Sequence, residues 1–95
     1  MHKFLVEVPH GSSQQACQRA IDTFNRTGSH FLTHAEWGCK DQVHKAWMIV
    51  DMDTKEEARN IVPPDYRGDA TVVQLTRFTP RHLDETLRAH GGGAG

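Results

Sequence analysis

From residue 2 to residue 9 the chain alternates, with Phe4, Val6 and Val8 on one side and Lys3, Leu5 and Glu7 on the other. A period of two is the signature of a strand. His10-Gly11 breaks it. Ser12 is placed to cap a helix, with Gln15 three residues on completing a capping box. Ala16, Cys17, Ala20, Ile21 and Phe24 then recur at helical spacing up to a stop at Gly28. The second and third strands are expected over 30–38 and 44–52, joined by a tight connection around Lys40-Asp41. Asp53 or Thr54 caps a second helix, with Glu56 or Glu57 as box partner and a stripe of Ala58, Ile61 and Val62. Pro63-Pro64 ends it, because proline cannot donate and disfavours a helical residue before it. A fourth strand is expected over 70–78. Thr79-Pro80 then opens a last helix carrying Leu83 and Leu87.

The order strand, helix, strand, strand, helix, strand predicts an α+β, ferredoxin-like βαββαβ domain. Its four-stranded antiparallel sheet carries helices on one face, with a short C-terminal helix added. Residues 1–90 form this single domain and 91–95 a flexible tail. Strand 3 is apolar on both sides, Trp47 and Ile49 against Ala46, Met48 and Val50, and strand 4 sets Val72 and Phe78 against Val73 and Leu75. A sheet with one wet face alternates more cleanly. The open face is therefore expected to be covered by a second copy of the chain, as a homodimer, or to line a ligand cavity.

Charge and composition narrow the partners. The 95 residues are 37% hydrophobic and 24% charged, with a net charge of -1. No basic field is available to attract phosphate backbones, which argues against nucleic acid. No apolar run approaches the ~20 residues that span a bilayer, and MHKFLVEVPH lacks the features of a signal peptide, so no membrane partner and a cytoplasmic home are expected. The two cysteines form no framework and are expected as free thiols.

The densest candidate chemistry lies in the central hairpin, where His34, Glu36, Cys39, Asp41 and His44 cluster between Trp37 and Trp47. Residues of equal parity on a strand share a face. A turn centred near 40–42 puts His34, Glu36, His44, Ala46, Met48 and Val50 together on the open face, and Phe31, Ala35, Trp37, Trp47 and Ile49 against the helices. His34, Glu36 and His44 then form the candidate catalytic set, a general base and its orienting partners. Trp37, Met48, Tyr66 and Arg67 are candidate ligand-binding residues. His34, Glu36, Cys39 and His44 could alternatively hold Zn, Ni or Fe; otherwise no cofactor is expected. The bland alternative is a set of solvated hairpin residues, with Tyr66 a lid on the core. Cys17, in the apolar stripe of the first helix, reads as a buried inert thiol. His2, His10, His82 and His90 read as surface residues, and His30 as a minor participant.

The element order over residues 2–78, with its aromatic and His-bearing hairpin, resembles the dimeric α/β-barrel group within ferredoxin-like folds. That group includes muconolactone isomerase-like proteins and small cofactor-free monooxygenases. The resemblance is one of layout. It implies a homodimer binding a small organic ligand in a cleft or dimer cavity, with isomerase- or monooxygenase-like activity as one outcome, and it carries over no catalytic residue. The layout is also similar to small ferredoxin-like metal-binding proteins, which implies a divalent-metal site in the hairpin. A non-catalytic interaction or regulatory module is the third expectation. RNA-recognition domains share the order but place aromatics within a basic, glycine-bearing motif, which neither HKAWMIVDM nor HKFLVEV provides.

Overall fold

The computed structural model describes residues 1–27 and 29–79. Strand β1 (His2–Pro9) pairs antiparallel with strand β3 (Lys45–Met52) along its whole length, from His2 opposite Met52 to Pro9 opposite Lys45. Strand β4 (Thr71–Leu75) lies antiparallel on the other side of β1, and the short strand β2 (Glu36–Trp37) on the outer side of β3. The sheet order is β2-β3-β1-β4. Helices α1 (Gln14–Thr27), α2 (His30–Thr33), α3 (Lys55–Asn60) and α4 (Pro64–Arg67) complete the described elements, with a 3-10 turn at Cys39–Asp41. The architecture is thus α+β, an antiparallel open sheet with helices on one face.

The even residues of the long strands make that packed face. Phe4, Val6 and Val8 of β1, Ala46, Met48 and Val50 of β3, and Val72 of β4 are buried against Ala20 and Phe24 of α1, Leu32 of α2, Ala58 of α3 and Val62. The odd residues face away from the helices. Ile49 is 62% exposed and Val73 47%, with Leu5, Trp47 and Leu75 half-buried beside them. Trp47 and Ile49 are therefore not core residues, and Met48 and Val50 do not belong to an open face. Both expectations inverted because the parity of the hairpin is opposite to the one assumed.

That parity is set by the turn. Glu36 lies opposite Trp47 and Trp37 opposite Ala46, so residues of unlike parity share a face across β2 and β3. The 3-10 turn adds one residue to the reversal. Gly38 accepts from the amides of Asp41 and Val43 and donates to the Lys45 carbonyl at 3.1 Å, and Gln42 takes a left-handed conformation with φ 65°. A shift of one residue moves every side chain to the other face.

The expected second strand over 30–38 is mostly not a strand. Ser29 starts one helical turn, its carbonyl accepting from Leu32 at 3.1 Å and Thr33 at 3.2 Å. Phe31, Leu32 and Ala35 stand at helical spacing, and the turn drops Leu32 into the core with Phe31 and Ala35 packed beside it. Alternation would have left Leu32 on the polar side. The cap of α1 also moves by one: Ser13, not Ser12, accepts from the Ala16 amide at 3.0 Å. Thr54 caps α3, accepting from Glu57 at 3.1 Å. Pro63-Pro64 ends α3 and begins α4, with Pro64 in its first turn. Gly28, the last-helix residues Leu83 and Leu87, and the tail 91–95 lie outside the described residues.

Candidate metal centre

At one end of the sheet the packed face continues past the last strand pair. The His10 amide donates to the His44 carbonyl at 3.0 Å, extending the β1–β3 register by one step beyond Pro9 and Lys45. His10 and His44 have the parity of Val8 and Ala46, so both imidazoles point to the helix side, with ring centroids 5.8 Å apart. Two cysteines meet them there. Cys17 enters from the first turn of α1, on the stripe that continues through Ala20 and Phe24. Cys39 opens the 3-10 turn.

The ligand atoms of His10, Cys39 and His44 lie within 4.8 Å of one another, the one such group of histidine, cysteine or acidic ligands among the described residues. Cys39 Sγ is 3.3 Å from His10 Nε2 and 2.7 Å from Cys17 Sγ. All four side chains are half-buried. Zn–S bonds of about 2.3 Å and Zn–N bonds of about 2.0–2.1 Å set ligand separations of about 3.3–3.8 Å in a tetrahedron. The His10–Cys39 spacing falls in that range; Cys17 stands outside the three-residue group, so as a fourth ligand its sulfur must part from Cys39 by about 1 Å and move toward the imidazoles.

The hydrogen bonds around the imidazoles suit a cation as well. His10 Nδ1 lies 2.9 Å from the Gly11 carbonyl. With Nδ1 donating there, Nε2 presents its lone pair toward Cys39, which is how a ligating histidine is held by its other nitrogen. His44 Nδ1 is buried with no hydrogen-bond partner among the described residues. Such an atom costs about 1–3 kcal/mol when left unpaired, and a coordinate bond would offset that cost. Burial, helped by the Cys17 thiol beside it, pushes the Cys39 thiol up to about 11. A cation reverses that direction, because it stabilises the thiolate. Trp37, with ring centroids 5.7 Å from His10 and 5.0 Å from Phe24, walls the site off on the core side. A cavity of about 280 Å³ borders it on the other side, lined in part by Ser12, Ser13, Lys40 and Gln42.

The hairpin set expected from sequence is divided. Cys39 and His44 belong to the cluster just described. His34 and Glu36 are exposed and line a separate cleft of about 380 Å³ on the open face with Leu5, Trp47 and Ile49. The set His34, Glu36 and His44 therefore does not converge, nor does His34, Glu36, Cys39 and His44 as a metal site. Trp37 packs against the core. Tyr66 also packs there, 6.0 Å from the Phe24 ring. Arg67 directs its guanidinium at the Val62 carbonyl, at 2.9 and 3.1 Å, and the Asn60 carbonyl at 3.1 Å, holding the C-terminal end of α3. His10 and Cys17 are the two members the sequence reading passed over. Their signals were present: His10 shares the parity of the buried β1 residues, and Cys17 shares the helix stripe. What was missing was the pairing of β1 with β3, which brings positions 10 and 44 side by side.

Comparison with protein-family models, with curated proteins and with solved structures finds no match for this chain.

Proposed function

We propose that this protein binds a divalent cation of borderline softness, Zn²⁺ above Ni²⁺ or Fe²⁺, through His10, Cys39 and His44, with Cys17, whose sulfur lies beside Cys39, swinging in as the fourth ligand. The observation that carries the reading is the position of Cys39 Sγ, within 3.3 Å of one imidazole nitrogen and 2.7 Å of a second sulfur. Two thiolates and two imidazoles are a tetrahedral zinc donor set. With all four ligands engaged the site is closed and structural. With Cys17 disengaged, the fourth position turns to the adjoining cavity, where a water or a small anion could enter. The free thiols fit a reducing compartment such as the cytoplasm.

The test is metal analysis of tag-free protein followed by cobalt titration. About one equivalent of metal per chain is expected, with thiolate-to-cobalt charge-transfer absorption in the near ultraviolet. Cys39→Ala should abolish it, and a His34→Ala, Glu36→Gln double variant should leave it intact. Failure of the wild-type chain to take up zinc or cobalt would remove the reading.

A second reading rests on the open face, where Leu5, Trp47, Ile49, Val73 and Leu75 leave apolar surface uncovered by the described residues. The strand order and one-sided helices support a ferredoxin-like layout, and such a face supports a homodimer that encloses a small organic ligand near His34 and Glu36. In that case Ile49→Lys should convert a dimer to a monomer in sedimentation. A wild-type chain that is monomeric at all accessible concentrations would end this reading.

A further inference from the structure

We infer that Cys17 and Cys39 form a reversible intramolecular disulfide, and that this bond and a bound metal exclude one another. The second half rests on the metal reading above; the first does not. The two thiols come from different elements, the first turn of α1 and the turn after β2, yet their sulfurs are 2.7 Å apart. The sulfurs have only about 0.7 Å to close to reach the ~2.05 Å of a disulfide bond. Neither sulfur is sealed in the core: both line the 280 Å³ cavity that opens beside Ser12 and Gln42, a route for a small oxidant.

The chemistry balances with hydrogen peroxide as oxidant. His10 Nε2, 3.3 Å from Cys39 Sγ, is placed to take the thiol proton. The sulfur attacks one peroxide oxygen and the O–O bond breaks. The departing hydroxide leaves as water with the proton from His10, and Cys39 becomes a sulfenic acid. Cys17 sulfur then attacks the Cys39 sulfur. The S–O bond breaks, and the second hydroxide leaves as water with the Cys17 proton. Two thiols lose two electrons in total, and one peroxide becomes two waters. The proximity of Cys17 makes this second step intramolecular, which favours it over further oxidation of the sulfenic acid.

Metal and disulfide compete because they need the sulfurs in different states. A soft cation takes two thiolates held about 3.8 Å apart in a tetrahedron. A disulfide holds its sulfurs at about 2.05 Å and has no anionic lone pair to offer. Oxidation therefore removes two ligands at once, and His10 and His44 alone make a weak site.

The experiment treats the full chain with stoichiometric hydrogen peroxide, both zinc-loaded and stripped by a chelator. Intact mass, alkylatable thiols and zinc release to a chromophoric chelator are read together. The expected result in both samples is a loss of about 2 Da and of both thiols together, reversed by a phosphine reductant. In the loaded sample, one zinc leaves for each disulfide formed, and it rebinds after reduction. Cys17→Ser keeps Cys39 beside His10 and should stop at a sulfenic acid trapped by dimedone. A gain of about 32 Da at Cys39 with Cys17 still alkylatable would overturn the inference, as would cross-linked dimers in place of the internal bond. If the stripped chain forms the disulfide but the reduced chain never takes up zinc, the metal reading and the competition fall while the disulfide stands. If zinc binds and the stripped chain forms no disulfide, the disulfide falls and the metal reading stands.

Discussion

Gly38 and Gln42 bracket the turn that presents Cys39, and each is under a different constraint. A Cβ on Gly38 would meet the Val43 carbonyl oxygen at 2.7 Å and the Trp47 ring at 2.8 Å. Neither can move freely, since Val43 also bonds back to the Gly38 carbonyl. Gly38→Ala should therefore destabilise the protein by about 1–3 kcal/mol, the range of overpacking in a tight site, read as a fall in the urea midpoint. Gln42 holds φ 65° without being glycine. A left-handed residue with a Cβ is strained by roughly 1–2 kcal/mol, and glycine returns part of that as unfolded-chain entropy. Gln42→Gly should stabilise the protein by up to about 1 kcal/mol, read as a higher urea midpoint; an unchanged or lowered midpoint would contradict this account of the turn.

Among the elements, β1 and β3 are joined on the open face by a polar clamp. The Glu7 carboxylate accepts from Trp47 Nε1 at 3.0 Å and from Lys45 Nζ at 3.3 Å. The indole N–H holds this carboxyl below its ordinary 4.5 against the opposing effect of burial, and the Lys45 ammonium adds to the lowering. A lowered native value means the folded state binds the proton less readily than the unfolded one. The stabilisation is fully present above about 4.5 and is lost as pH falls through the lowered native value. Urea midpoints taken from about pH 6 to about pH 3 should fall more steeply for the wild type than for Glu7→Gln. Parallel slopes would mean the clamp adds nothing. On the other face, α1 reaches the sheet through Ala20 and Phe24, and Phe24 touches both Trp37 and Tyr66. Phe24→Ala should cost about 3–5 kcal/mol, as for other fully buried aromatics.

The alternation of β1, the apolar run of β3 and the stripe of α1 were legible in the sequence, because each is a local pattern that burial enforces; which face of β3 is buried was not. The second strand was not. Residues 30–37 satisfy a period of two and a period near 3.6 together, and the burial of Leu32 decides for a helical turn.

In the whole molecule, the proposed metal centre ties together segments that are distant in sequence: the end of β1, the start of α1, the 3-10 turn and the start of β3. A cation bound there acts on the folded state alone and should stabilise the entire domain. At a free zinc concentration about 100 times its dissociation constant the gain is about 2.7 kcal/mol. For a chain of this size that corresponds to a rise in Tm of roughly 10–20 °C. The shift should disappear in Cys39→Ala and persist in the His34→Ala, Glu36→Gln double variant. An equal shift in all three proteins would assign the effect to surface histidines.

By itself the sequence determined the α+β class, the two long strands, the first helix and its stripe, a cap at Asp53 or Thr54 and the proline stop. All are short-range patterns, in which each residue's neighbours along the chain settle its state. It also placed Cys39 and His44 among the chemically notable residues. Only the tertiary structure decided which face of the sheet is buried, because one residue of 3-10 turn reverses the parity of the hairpin. Only the tertiary structure brought His10 and Cys17 to Cys39 and His44. The β1–β3 register carries positions 10 and 44 together, and the packing of α1 on the sheet carries Cys17 to them. Such long-range pairings depend on how whole elements dock, which no window of sequence around any one of these four residues contains.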